Sequence, residues 1–155
     1  MLSIEYISTN NKGELYKCYE ISDQLKKNIK ITLNNVSTIF GIEKVYHNRY
    51  VKWTNIDSKI ISRILDIEKY IQSNFPLKEI KSVIIEKKNY PIMLNTKINY
   101  SKNKNIIESE KGLVPTIEEF IEKKKDYILE INLENIFVAE KYIYYTLLIN
   151  KIKIA

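Results

Sequence analysis

Apolar and polar residues alternate along this chain in segment after segment, and only one long stretch departs from that rhythm. Side chains of a strand point to opposite faces in turn, so a period of two marks a strand with one buried face. Leu2, Ile4 and Tyr6 alternate in residues 1–8, and Ile29, Ile31 and Leu33 in residues 28–33. Residues 14–21 are extended in character, and residues 49–53 give another short strand. Asn34 and Asn35 tolerate left-handed turn geometry, so residues 29–33 and 36–42 are expected as the arms of a hairpin. Ile80, Val83, Ile84 and Ile85 mark a further strand, and residues 90–100 put Ile92, Leu94, Ile98 and Tyr100 on one face, with Met93, Asn95, Lys97 and Asn99 on the other. A polar turn over residues 101–105 leads to a short strand at Ile106 and Ile107. In the tail, Tyr127, Leu129, Ile131 and Leu133 share a face, as do Ile143, Tyr145, Leu147 and Ile149, across an expected turn at residues 139–141. Ile152 and Ile154 are offset by one residue, a slip that a bulge near Asn150 would absorb.

The departure is a helix over residues 57–73. Ile60, Ile64, Ile67 and Ile71 fall on one stripe with Ile61 and Leu65 beside it, Asn55 or Asp57 can cap the start, and Pro76 lies just past the end. A second, short helix is expected after Pro115, where Thr116 and Glu119 have capping-box spacing. No repeat, linker or shift in composition divides the chain, so residues 1–155 are expected as one domain, mainly β with two helices. With 45% hydrophobic residues it can bury a core without disulfides or metals.

Several chemistries are excluded by counting. One cysteine, Cys18, and one histidine, His47, cannot supply the ligands of a structural zinc, and Cys18 has no partner within the chain, which suits a reducing compartment. Three glycines, Gly13, Gly41 and Gly112, are too few and too scattered for a phosphate-cradling loop. No apolar run is long enough to cross a membrane as a helix, and residues 1–10 lack the basic and apolar regions of a signal peptide, so an intracellular protein with no membrane partner is expected. Glu86 two residues before Lys88 is a spacing used by metal-dependent nucleases, but it arises readily by chance in a chain that is 28% charged. His47 has no partners for a nucleophile triad, and Cys18 reads as a strand thiol. The expectation is a protein that is not an enzyme and uses no cofactor and no metal.

A net charge of +6 suits a polyanion partner, because lysines and arginines that neutralise phosphates release counterions. Of the 25 basic residues only Arg49 and Arg63 are arginine, and the abundance of lysine, isoleucine, asparagine and tyrosine equally fits AT-rich coding. Aromatic and basic residues interleave in two places, the pattern of a sequence-tolerant single-strand site. The first holds Lys44, Tyr46, His47, Arg49, Tyr50, Lys52 and Trp53, with no acid inside it; the second holds Tyr90, Lys97, Tyr100, Lys102 and Lys104. The structural alternative for Trp53 and some of these tyrosines is the core, and for Lys123, Lys124 and Lys125 the solvated end of a helix. The nucleic-acid contacts expected are Lys44, Tyr46, Arg49, Tyr50, Lys52, Trp53, Lys97, Tyr100, Lys102 and Lys104.

Ile39-Phe40-Gly41-Ile42-Glu43, a strand ending Val51-Lys52-Trp53, a helix with Ile64, Glu68 and Ile71, and a tail of Tyr127-Ile128-Leu129-Glu130-Ile131-Asn132-Leu133, Ile136-Phe137-Val138 and a closing strand over residues 142–154 together resemble the single-stranded-DNA-binding proteins of large DNA viruses and some phages. The resemblance implies an OB-fold core, no catalysis, and binding to displaced strands during viral DNA replication, in host cytoplasm or nucleus. About ten extended segments exceed the five of a plain OB barrel, so the barrel is expected to be elaborated. Single-stranded DNA is the expected partner, with RNA, self-association and replication proteins left open. The basic ending Lys151-Ile152-Lys153-Ile154-Ala155 is unlike the acidic partner-recruiting tail of many phage members. The alternative is a viral structural or host-interaction protein on the same β framework, its charge set by coding bias.

Overall fold

The computed structural model describes residues 2–10, 15–25, 27–98, 107–108 and 120–155. Their strands are β1 (Ser3–Asn10), β2 (Tyr16–Ser22), β3 (Ile29–Val45) and β4 (Asn48–Thr54), then, after helix α1 (Ser58–Asn74), β5 (Glu79–Ile80), β6 (Ile84–Ile85), β7 (Met93–Ile98), β8 (Ile107–Glu108), β9 (Tyr127–Val138) and β10 (Tyr142–Ile154). The protein is mainly β, and the strands join in one mixed sheet.

Residues 29–45 do not turn back at the asparagines. They form one 17-residue strand. Asn35 does take a left-handed φ of 54°, but there the pairing register slips, between Leu33 and Val36. A left-handed residue makes a bulge as readily as a turn, and here the bulge bends β3 from its partner β9 toward β4. The Asn55 side chain donates to the Asn35 carbonyl at 2.9 Å and ties the bend down. A second slip, between Thr38 and Ile42, contains Gly41 at φ +68°, whose N–H donates to the Thr38 hydroxyl at 3.1 Å. The hairpin lies further on, where Val45 pairs with Asn48 across Tyr46 and His47.

Helix α1 begins where expected. Asp57 caps it, its carboxylate accepting from the Lys59 N–H at 2.8 Å, and Ile64, Ile67, Glu68 and Ile71 are buried. Each buried isoleucine contributes about 1.5–3 kcal/mol. The start of the second helix, expected at Thr116 and Glu119, lies outside the described residues, and residues 123–125, expected as its solvated end, are not helical, with a turn at 123 and 124. Just before that turn, Phe120 and Ile121 pack on the core, held by the Tyr127 hydroxyl, which donates to the Phe120 carbonyl and accepts from the Glu122 N–H, both at 2.8 Å. The strand expected over residues 90–100 starts later, at Met93, and is described to Ile98; Ile92, expected on the face of Leu94 and Ile98, is exposed. The slip near Asn150 is present, between Ile149 and Lys151.

Strand β9 pairs with β3, β3 with β4, β4 with β7, β7 with β10, and β10 with β9, so the pairings return to their start. All are antiparallel except β7 with β10. Strand β9 gives residues 127–133 to β3 and residues 135–138 to β2, which carries β1 at the sheet edge. Trp53, Leu129, Ile131, Ile149 and, from α1, Ile64, Ile67 and Ile71 belong to one apolar cluster.

Candidate nucleic-acid interface

The segment from Lys44 to Trp53 is contiguous in sequence, but strand parity divides it. Val51 and Trp53 face the core, and Tyr50 and Lys52 therefore face outward. Tyr50 pairs with Lys97 on β7 and Lys52 with Asn95, which sets two outward rows side by side. Glu43 of β3 pairs with Tyr50 and forms an ion pair with Lys52 across the same face. Lys44 and Arg49 pair with each other on the opposite parity, at the hairpin end.

Tyr46 stands at the hairpin tip, 95% exposed and with φ of 54°. A left-handed conformation is uncommon for a bulky residue and costs about 1 kcal/mol or more, so this exposed ring is held at a cost by the two-residue connection. The Arg49 guanidinium folds back on that connection, donating from Nη1 to the carbonyls of Asn48 at 3.2 Å and Tyr46 at 3.4 Å. Arg49 therefore braces the tip, while Tyr46 and Lys44 are exposed.

Trp53 is not part of this surface. It is 0% exposed, its indole N–H donates to the Thr96 hydroxyl at 2.9 Å, and its ring meets Tyr127 edge-on at 5.8 Å. Its expected role as a stacking contact is corrected: the ring is a core group whose polar atom is already satisfied. Tyr100, Lys102 and Lys104 lie outside the described residues. The structure thus brings together Tyr50, Lys52 and Lys97, with Tyr46 and Lys44 beyond one end.

A groove of about 400 Å³ opens beside Tyr50, lined from β7 by Asn95 and Thr96 and from β10 by Tyr144 and Thr146. Lys81 stands at its rim, its ammonium 4.1 Å from the centre of the Tyr142 ring. Beneath the groove, the buried Glu68 carboxylate accepts hydrogen bonds from Ser82 at 2.6 Å and from the Tyr145 hydroxyl. Burial, and then the Glu68 charge, push the Tyr145 phenol well above its ordinary value, so it remains a donor. Sequence reasoning missed Tyr142, Tyr144 and Lys81. The signal was present: assigning Ile143, Tyr145, Leu147 and Ile149 to the core puts Tyr142 and Tyr144 on the other face.

Other candidates are placed as follows. Glu86 and Lys88 are exposed on the connection from β6 to β7. Cys18 is half-buried in β2, and burial pushes its thiol up. Among the described residues no three of His, Cys, Asp and Glu gather as a metal site, and no helix is long and apolar enough to cross a membrane. No family model matches the chain, and no curated protein matches it.

Proposed function

We propose that this chain is a non-catalytic single-stranded-nucleic-acid-binding domain built on an elaborated OB-like barrel. Taking β3, β4, β7, β9 and β10 as strands one to five, strand one lies beside two, two beside three, three beside five, five beside four, and four beside one. That circuit supports an OB-like reading, in which β1 and β2 are additions on β9 and α1 is inserted between strands two and three. OB domains bind through the face of strands two and three and the loops between strands one and two and strands four and five. The observation that carries the function is the outward pairing of Tyr50 with Lys97 on that face, beside Lys52 and under the exposed Tyr46 tip. A ring beside an ammonium lets a base stack while its phosphate is neutralised, without reading sequence. The resemblance to viral and phage proteins supplies the setting: displaced DNA strands during replication, inside the host cell.

The test is fluorescence anisotropy with a labelled strand of 30 nucleotides and with its duplex, at low and moderate salt, with Mg²⁺ present and the probe checked for cleavage. Single strand is expected to bind in preference to duplex and to weaken as salt rises. Tyr50→Ala is expected to weaken binding by about 1–3 kcal/mol, roughly fivefold or more. No affinity at low salt, with the probe intact, would overturn the reading and leave a structural or host-interaction protein ahead.

A further inference from the structure

The outward side of the sheet does not end at the groove. Strands β2 and β1 continue it past β9, and one row crosses all four strands: Ser8 pairs with Cys18, Cys18 with Phe137, and Phe137 with Tyr144. Tyr16 closes one end, its ring centre 6.5 Å from that of Tyr144 at 63°, and Tyr142 lies 6.2 Å from Tyr144 on the other side. Ser8, Tyr16, Cys18, Phe137 and Tyr144 wall an open hollow of about 510 Å³ in which Phe137 is 39% and Tyr144 36% exposed. A contiguous patch of aromatic rings open to solvent is the kind of surface that binding sites present.

We infer that this hollow is a second stacking platform, which takes the far end of the strand that begins on Tyr50 and Lys97. The inference rests on the function proposed above. Two observations select nucleic acid as the occupant. Tyr144 belongs to both the hollow and the groove, so the two form one path from β4 to β2. Lys81 lines the groove and sits over the Tyr142 ring, which adjoins Tyr144, a cation beside an aromatic as at Tyr50 and Lys97, and among the described residues the walls of neither hollow include an acidic side chain. The path takes four strand steps of about 4.8 Å, roughly 20 Å in all, which is within reach of the 4–16 nucleotides, approximately, that one OB-type domain engages.

Cys18 is the only cysteine in the chain and lies in the hollow, so it reports occupancy without mutagenesis. Its alkylation by a maleimide is to be timed alone, with an oligothymidylate of about 5 nucleotides, and with one of about 15, each at saturation by anisotropy. The longer strand is expected to slow labelling several-fold and the shorter to slow it far less. In parallel, Phe137→Ala with Tyr144→Ala, checked for folding by circular dichroism, is expected to weaken the longer strand by about tenfold or more, while Tyr144→Phe, which keeps the ring, does not. If the longer strand binds but leaves Cys18 labelling unchanged, or binds the double variant as it binds the parent, the second platform is wrong and the Tyr50 site stands. If no strand of either length binds, the function itself has failed.

Discussion

Removing one hydroxyl, by Tyr145→Phe, tests how the groove is held from below. Tyr145 and Glu68 are 5% and 7% exposed, and the phenol donates to a carboxylate whose other donor on the same oxygen is Ser82. Phenylalanine keeps the ring and leaves no cavity of consequence, so the loss is that of one charge-assisted hydrogen bond in a dry site, about 2 kcal/mol. At about 2.1 cal/mol/K per residue, unfolding of a chain of 155 residues carries an entropy near 0.3 kcal/mol/K, so Tm falls by about 6 °C. Ser82 is an exposed residue, and water can replace its hydroxyl, so Ser82→Ala is expected to cost less than about 1 kcal/mol. Glu68→Leu placed in the Tyr145→Phe background removes the stranded carboxylate and is expected to recover part of the loss. Thermal unfolding followed by circular dichroism reads all three. A Tyr145→Phe protein that melts within about 1 °C of the parent, or a Ser82→Ala protein that melts lower than Tyr145→Phe, would refute the assignment of the buried phenol as the stronger donor.

The same phenol sets a pH dependence. Folding holds its proton beyond the ordinary value of 10.0, so above that pH the unfolded chain releases a proton that the folded one keeps, and stability falls by up to about 1.4 kcal/mol per pH unit. Urea titrations at pH 9 to 11 should show this slope in the parent and a shallower one in Tyr145→Phe; equal slopes would refute it. Trp53 is expected to emit as a buried indole, shielded from acrylamide and unquenched by a bound strand, and strong quenching on binding would contradict its place in the core. Trp53→Ala is expected to cost about 3–5 kcal/mol by denaturant titration. Gly41→Ala is expected to cost about 1–2 kcal/mol through φ alone, because an added Cβ meets only the Lys123 side chain at an ordinary 3.6 Å. A neutral result there would mean that the bulge is pliable.

Those expectations separate what local pattern determines from what pairing determines. The α1 stripe, its Asp57 cap, the tail strands and the slip near Asn150 were legible, because each depends on periodicity or on a cap within a few residues. The asparagine pair was misread for a physical reason. A left-handed φ at Asn35 is compatible with a hairpin or a bulge, and the choice is made by β9, which lies about a hundred residues away in sequence and pairs along the strand on both sides of the slip.

The candidate site shows the same division at the level of single side chains. Composition drew attention to residues 44–53 because basic and aromatic side chains adjoin there, yet neighbours in a strand face opposite ways, so Trp53 had to be buried if Lys52 was to reach solvent. Parity within β4 was readable from Val51 and Trp53 as apolar partners of a core face. What no local reading could supply is register. Tyr50 meets Lys97 only because β4 and β7 pair at that offset, and Tyr144 meets Tyr16 and Phe137 only because β9 leaves β3 for β2 at its far end. A shift of one residue in either pairing would turn the rings inward and the isoleucines outward, and burial of the core forbids it. The hydrophobic core therefore fixes which aromatics stand on the outer face, and an aromatic surface assembled from β2, β4, β9 and β10 follows from packing that no single segment contains.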